Sequence, residues 1–342
     1  MELNDFKARL KSGSLGGCYL FAGEEDYLKK HYLGALRSAA VTDEGLAPFN
    51  HLVFDGGTVD FAALTDGIKA PPFMSDYKLI EWRYASFEKM KESELVLLEQ
   101  ILDLVEENDW AVVAFLVADG EVDLGTPKKE SKFTKRFGKR MGILNFPKST
   151  DVQLLSWLKK HFDHNGIGVS ADTLRALIFR SGHSMTALAE EVEKLSAYAK
   201  ANGLAEIGIG EVEAVASSTP ESDTFALSNA IIDRNKKAAL AALDEMKGRR
   251  IDPVIVTAMM ARTYTDIVNV TSMLADGMGA KDIELALKMN PYKLKNYIAA
   301  AKKHPADRSL RVLTELCRMD TSSKFGGIAG YTAIELFITK CI

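Results

Sequence analysis

The sequence predicts a parallel α/β domain followed by two all-helical domains. Three observations predict it. Through residues 1–147 short apolar runs alternate with longer helical patterns, after Pro147-Lys148-Ser149-Thr150 the strand pattern stops, and from Asp223 to Ile342 the chain is almost wholly helical. Alternation of the first kind builds a parallel sheet with helices on both faces. Strands are predicted at 18–22, 51–55, 78–83, 111–118 and 142–146. The fourth, AVVAFLVA, has the length of a buried strand and is bounded by Asp109-Trp110 and Asp119-Gly120. Helical patterns at 24–38, 60–69 and 92–107 lie between the strands.

The helix at 151–164 opens on Ser/Thr/Asp capping residues and spaces Val152, Leu155, Trp157 and Leu158 at helical intervals. Helices at 170–180 and 185–200 follow, the first starting at Ser170-Ala171-Asp172. Residues 205–215 and Ser217-Ser218-Thr219-Pro220 read as a boundary. Leu227, Ile231, Leu240 and Leu243 then mark two short helices. Pro253 suits a first turn and opens a long helix to about Leu274, with Val254, Ile255, Ala258 and Met259 on its apolar side. Further helices flank Gly326-Gly327. The expected domains are 1–147, 148–219 and 220–342.

Among 342 residues, 43 basic against 47 acidic side chains leave a formal charge of −4. A dedicated nucleic-acid coating protein would carry a basic excess. Three cysteines (Cys18, Cys317, Cys341) exclude a disulfide framework and a four-cysteine zinc site, and point to a reducing, cytoplasmic compartment. Residues 1–7 are polar and mixed in charge, unlike a secretory signal. No apolar run approaches the roughly 20 residues that span a bilayer, so no membrane role is expected.

The first strand ends in Phe21-Ala22-Gly23 and runs straight into a helix, the place of a phosphate-binding loop in an α/β nucleotide fold. The pattern G-x-x-x-x-G-K-[ST] would put glycine at 28, lysine at 29 and a hydroxyl at 30. The chain has Gly23, then Leu28, Lys29 and Lys30. Leu28 carries a Cβ and cannot freely wrap amides around a phosphate, and Lys30 offers no hydroxyl to magnesium. Glu24, Glu25 and Asp26 complement the helix dipole themselves and would repel a triphosphate. The third strand should end in an acidic pair that holds magnesium, but Arg83 and Tyr84 stand there. No ATP binding is therefore expected.

His161 and His164 form the one local pair with metal-like spacing. They lack a third ligand and sit at a predicted helix end, where histidine suits the dipole. Neither H-E-x-x-H nor G-x-S-x-G occurs, so no catalytic residue, metal or cofactor is expected. The segment 132–140 is the most basic. Lys132, Lys135, Arg136, Lys139 and Arg140 could touch a DNA backbone, or they could form a solvated helix face over inward-packed Phe133 and Phe137. In Ala70-Pro71-Pro72-Phe73-Met74-Ser75 two prolines stiffen a loop before the third strand and leave Phe73 and Met74 at its tip. Such a loop could present an interface anchor or fold Phe73 back onto the sheet, and the residues alone leave these even.

Four segments, in this order and spacing, carry a resemblance. They are Tyr19-Leu20-Phe21-Ala22-Gly23-Glu24-Glu25; Phe54-Asp55-Gly56 followed by Pro72-Phe73-Met74 and Lys78-Leu79-Ile80; Leu188-Ala189-Glu190-Glu191-Val192-Glu193-Lys194-Leu195; and Met319-Asp320-Thr321-Ser322-Ser323-Lys324. Along essentially its whole length the chain resembles the delta subunit of the bacterial DNA polymerase III clamp loader. The resemblance implies a degenerate AAA+-like sheet domain, a small helical lid and a helical collar that mediates oligomerisation. It also implies a departure from the ATPase relatives. Where clamp-loader motors carry an arginine in G-x-x-R-x-A-L, this chain reads Gly182-His183-Ser184-Met185-Thr186-Ala187-Leu188. The Ser-Arg-Cys finger and zinc cysteines of the motor and delta-prime relatives are absent.

The same resemblance implies a role and a set of partners. In the family, delta grips the ring-shaped sliding clamp (the beta subunit) and opens it for loading onto primed DNA during replication. Two neighbouring hydrophobic residues on a loop before the third strand enter a clamp pocket. Pro72 and Phe73 match them, with Met74 adjacent, although the family carries a bulkier pair. The expected partners are the clamp, the gamma/tau motor subunits and delta-prime, with primed DNA held indirectly in the complex. The chain would have no catalysis of its own but would belong to the polymerase III holoenzyme, a nucleotidyltransferase complex. The rival readings are an active AAA+ ATPase motor subunit or helicase loader, which the P-loop, acidic-pair and lid-arginine positions oppose, and a helical adaptor unrelated to replication.

Overall fold

The computed structural model of the chain describes every residue except 127–128, 290 and 304–305. The chain packs as two compact units, Met1–Thr150 and Asp151–Ile342.

The first unit is built on five parallel strands: β1 (Gly17–Ala22), β2 (His51–Asp55), β3 (Lys78–Arg83), β4 (Ala111–Leu116) and, last in chain order, Met141–Asn145. Before β1 lies α1 (Leu3–Ser12), which the sequence pattern did not reveal. Between β1 and β2 come α2 (Asp26–Ala40) and the single turn α3 (Ala47–Asn50); α4 (Phe61–Lys69) and α5 (Glu92–Glu107) follow β2 and β3. After β4 a short antiparallel pair, β5 (Gly125–Thr126) and β6 (Lys129–Glu130), precedes α6 (Lys132–Phe137), which makes the strand Met141–Asn145 β7. The strand order is β2-β3-β4-β1-β7. Every neighbouring pair in it is parallel.

Side chains alternate across the sheet because successive Cβ atoms in a strand point to opposite faces. Tyr19, Phe21, Val112 and Ala114 pack with Phe6 of α1 and Leu33 and Leu36 of α2. Cys18, Leu20, Val113 and Phe115 pack on the other face with Leu64, Leu98, Ile101 and Leu102 of α4 and α5. The central strands are therefore buried on both faces, which is why they read as unbroken apolar runs. At the sheet edge β2 leaves Val53 exposed.

The second unit begins with α7 (Asp151–His164), α8 (Ala171–Ser181) and α9 (Met185–Ala201). The segment read as a boundary is structured. It holds the strand Glu206–Ile207, paired in parallel with Gly168–Val169, and α10 (Ile209–Val215) with Val212 buried. The helical array continues with α11 (Pro220–Ile232), α12 (Lys236–Gly248), α13 (Pro253–Ala275), α14 (Ala280–Leu287), α15 (Pro291–Lys303), α16 (Ala306–Lys324) and α17 (Gly330–Cys341). Phe179 of α8 meets Phe225 of α11 edge-on at 5.3 Å, and Phe225 meets Tyr297 of α15 at 5.1 Å, so an aromatic row joins the early helices to the later ones.

Two helix faces differ from expectation. On α13 the buried side chains are Val256, Met260, Thr263, Tyr264, Ile267 and Val270, whereas Val254 and Ile255 are exposed. Its first turns are apolar nearly all round, so periodicity selects no face there, and the neighbouring helices choose it. On α7 the seam is Leu154, Leu158 and Phe162, and Val152 is exposed. Among the described residues no helix is long and apolar enough to cross a membrane.

Candidate functional site

The loop between α4 and β3 is built for rigidity. Pro71 and Pro72 have fixed φ and no N–H, so they cannot continue α4 and hold the chain extended. Asn50, at the end of α3, then clamps the next residue from the side. The backbone N–H of Phe73 donates to Asn50 Oδ1 at 2.7 Å, and Asn50 Nδ2 donates to the Phe73 carbonyl at 2.8 Å. Asn50 is itself buried, so a side-chain amide anchored in the protein supplies the pairing a neighbouring strand would give. Lys78 Nζ closes the base of the loop on the Ala70 carbonyl at 3.2 Å.

The clamp leaves the side chains outside. Phe73 is 52% exposed and Met74 80% exposed, while Pro72 is half-buried. Phe73 rests against Phe49, 58% exposed, with ring centroids 5.2 Å apart and planes tilted by 47°. Met74 holds φ +51, a left-handed conformation rare for a non-glycine residue. Two adjoining exposed aromatics and a methionine make an apolar patch of the kind that marks an interaction site. Sequence reasoning singled out Phe73 and Met74, and it passed over Phe49 and Asn50. The available signal was an asparagine closing a short helix against an edge strand, next to a second exposed aromatic.

Apart from Met185, the residues of the expected phosphate site lie at the carboxyl ends of β1 and β3 and at the start of α2, beside the point where strand order reverses. Their own interactions consume them. Gly23 has φ +103, and a Cβ there would lie 2.3 Å from the Phe146 carbonyl oxygen, so glycine is kept by close backbone packing. Lys29 is 1% exposed; its ammonium donates to the Val117 carbonyl at 2.8 Å and pairs with Asp26 at 2.8 Å. Glu25, buried at the N-cap of α2, accepts a hydrogen bond from the Ser149 N–H at 3.4 Å. Leu28 packs onto the core beside Tyr32, and Lys30 is exposed. Glu24 lies outside the helix, which begins two residues later than the sequence suggested.

At the end of β3, Arg83 reaches back to Glu81 through Nη2 at 2.7 Å and Nε at 3.0 Å. Glu81 also accepts from His51 Nε2 at 2.8 Å. Burial pushes the Glu81 carboxyl up, but the bonds from His51 and Arg83 outweigh it and hold the group below its ordinary value. Tyr84 has φ +64, is half exposed, and donates its N–H to the Leu116 carbonyl at 2.7 Å. The Glu81 cluster was not legible in the sequence, because His51 comes from a different strand.

In the second unit Met185 is buried in the first turn of α9. His161 packs against Trp157 with ring centroids 4.3 Å apart, and His164 is exposed at the end of α7. The basic segment divides by partner. Arg136 pairs with Glu92 and Glu99 at 2.5 and 2.8 Å, and Arg140 with Asp103 and Glu106 at 2.6 and 2.7 Å, all on α5. Phe137 is buried and Phe133 packs against it and Phe87. Lys132, Lys135 and Lys139 are exposed.

Comparison with known proteins adds an independent line. The family described as DNA polymerase III, delta subunit matches residues 19–136, and that described as its C-terminal domain matches residues 221–341. The DNA polymerase III subunit delta of Bacillus subtilis (strain 168) is 24% identical over 340 residues, 97% of this chain and 95% of that protein. The solved structure of the Bacillus subtilis DNA clamp loader delta protein matches with a TM-score of 0.58 at 20% identity, covering 99% of each chain, and shows a shared fold. The two family matches fall on the sheet that carries the clamped loop and on the helical array around α13, and with the full-length relative they establish that the chain belongs to the DNA polymerase III delta family of clamp-loader subunits.

Proposed function

We propose that this delta subunit binds the sliding clamp through the Phe73 loop and opens its ring for loading onto primed DNA. The observation that carries the reading is the Asn50 clamp, which holds an exposed aromatic in a fixed position with its backbone already hydrogen-bonded. A contact residue held this way loses little conformational freedom on binding, so more of its burial energy appears as affinity. Phe73 and Met74 enter an apolar pocket of the clamp, Phe49 widens the contact, and half-buried Pro72 supports the loop.

The work is done by binding. If Phe73 and its neighbours fit an open or distorted clamp better than the closed ring, the difference in binding free energy shifts the ring toward open. No bond chemistry is required of this chain. Lys29 is committed to Val117 and Asp26, and Arg83 to Glu81, which supports a sheet domain that has given up ATP hydrolysis. Residues 1–147 would carry the clamp loop, 148–219 a lid, and 220–342 the collar that meets the gamma/tau motor and delta-prime subunits. ATP bound by the motors would govern access to the loop. Primed DNA would be surrounded by the assembly, with Lys132, Lys135 and Lys139 of the basic segment free to meet its backbone.

The test is a binding titration of the full chain against the sliding clamp of the same organism. Phe73→Ala should weaken binding by more than ~2 kcal/mol, the scale of an aromatic hot spot. Unchanged affinity would remove Phe73 as the anchor.

A further inference from the structure

Although the whole chain is net negative, the far end of the helical unit concentrates positive charge. A cleft of about 700 Å³ is lined by Arg234, Arg308, Arg311, Arg318 and Lys340, with Glu315 as the single acidic side chain in its wall among the described residues. Arg308, Arg311, Glu315 and Arg318 recur at intervals that put them on one face of α16. Arg234 follows α11, and Lys340 lies in the last turn of α17.

These cations are poorly neutralised by the protein. The Nη2 of Arg308 is buried and has no hydrogen-bond partner among the described residues. Arg311 spends only its Nε, on the Asp307 carbonyl at 3.2 Å. Arg318 pairs with Glu315, which uses up the wall's one carboxylate. Arg234 and Lys340 form no ion pair among the described residues. Asp233 is the next acid, and it pairs with Lys303 at 3.8 Å. Burial, then repulsion from Arg234 and Arg311, holds the Arg308 guanidinium below its ordinary pKa, with Asp233 opposing. Arg308 also stands in the first turn of α16, where the helix dipole disfavours a cation. Arg234 takes a left-handed φ of +56, a conformation uncommon for a non-glycine residue.

We propose that this cleft is a phosphate-binding site, taking either successive phosphodiesters of a nucleic-acid backbone or the polyphosphate of a free nucleotide. Several guanidinium forks converging on one volume match the oxygens of phosphate, which accept paired N–H donors from arginine. A ligand with two or more negative charges would relieve the repulsion among the arginines, satisfy the buried Arg308 donor and meet the favourable end of the α16 dipole. None of this depends on the clamp-binding reading.

The experiment uses the full chain at low salt. Thermal melting is followed with sodium pyrophosphate, with sodium chloride at matched ionic strength, and with a glutamate-rich peptide; anisotropy follows a labelled oligothymidylate. Pyrophosphate should raise the melting temperature beyond the chloride control, because a ligand that binds only the folded state stabilises it. Arg308→Gln and Arg311→Gln should each weaken that response on the order of tenfold in apparent affinity. Loss of oligothymidylate binding in the same variants identifies a nucleic-acid backbone as the source, and a pyrophosphate response without oligothymidylate binding identifies a nucleotide phosphate. Should Arg308→Gln fail to fold, Arg311→Gln and Lys340→Gln, at exposed positions, carry the comparison. No shift in the wild type, equal shifts in the variants, or a response confined to the acidic peptide would overturn the site.

Discussion

Asn50→Ala separates a positioned anchor from a merely exposed one. The substitution leaves the Phe73 ring in place and removes both hydrogen bonds that hold its backbone, at 2.7 and 2.8 Å. Each is a neutral bond worth about 0.5–1.5 kcal/mol net. The Phe73 amide and carbonyl lie at an exposed loop, where water can replace the missing partner, so the fold should lose roughly 1–3 kcal/mol. Binding suffers for a different reason. Freed from the clamp, Phe73 and Met74 must be ordered again on contact, at about 1–2 kcal/mol per residue of backbone, and Met74 must be returned to its left-handed φ of +51. Affinity for the clamp should therefore fall by about 2–4 kcal/mol, or roughly 30- to 700-fold, even though no contacting atom has been removed. Calorimetry on wild type, Asn50→Ala, Phe73→Ala and the double variant completes a cycle. If Asn50 acts through Phe73, its substitution should cost far less in the Phe73→Ala background than alone. Additive losses, or an Asn50→Ala protein that binds as tightly as wild type, would refute the argument that preorganisation sets the affinity.

Other consequences rest on the same physics. Gly23→Ala should destabilise the fold by about 3 kcal/mol or more in urea unfolding, because the new Cβ meets the Phe146 carbonyl oxygen at 2.3 Å and φ is +103. Glu81→Gln should cost about 2–3 kcal/mol near neutral pH, less than a fully buried pair because Arg83 is 34% exposed. Since the folded carboxyl titrates below its ordinary 4.5, this contribution is present above that pH and is lost as pH falls through the folded value. The stability curves of wild type and variant should thus converge in acid. The isolated chain should hydrolyse ATP no faster than background, and turnover that disappears on Lys29→Ala would restore the motor reading. In an assembled clamp loader, Lys132→Ala, Lys135→Ala and Lys139→Ala together should reduce the salt slope of DNA binding by about 0.9 for each phosphate that is no longer neutralised. Arg136→Ala and Arg140→Ala should act chiefly on the packing of α6 against α5.

The amino-acid sequence by itself determined the parallel α/β start, the switch to helix after residue 150, and the departures from the P-loop pattern at Leu28 and Lys30. These are local facts: a run of apolar residues, a capping residue or a missing glycine does the same thing wherever the chain goes. It also marked the loop at Phe73 and Met74 as stiff, because two prolines before a strand restrict the backbone without reference to anything distant, but left open whether Phe73 points outward. Tertiary structure alone decided what those residues meet. Asn50 reaches Phe73 across 23 positions, Glu81 gathers His51 across 30, and Lys29 finds the Val117 carbonyl across 88. Such pairs leave no periodic trace, since each member satisfies its own local pattern equally well with other partners. The same reason explains the faces of α7 and α13. Where a helix is apolar on more than one side, as at Val254, Ile255 and Val256, only the neighbours that bury one side can choose it, and here they bury Val256. The exposure of Phe73, the partners of Lys29 and Arg83, and the cluster of arginines on α16 all belong to this second class, because exposure, pairing and net charge in a cleft exist only once the chain has folded.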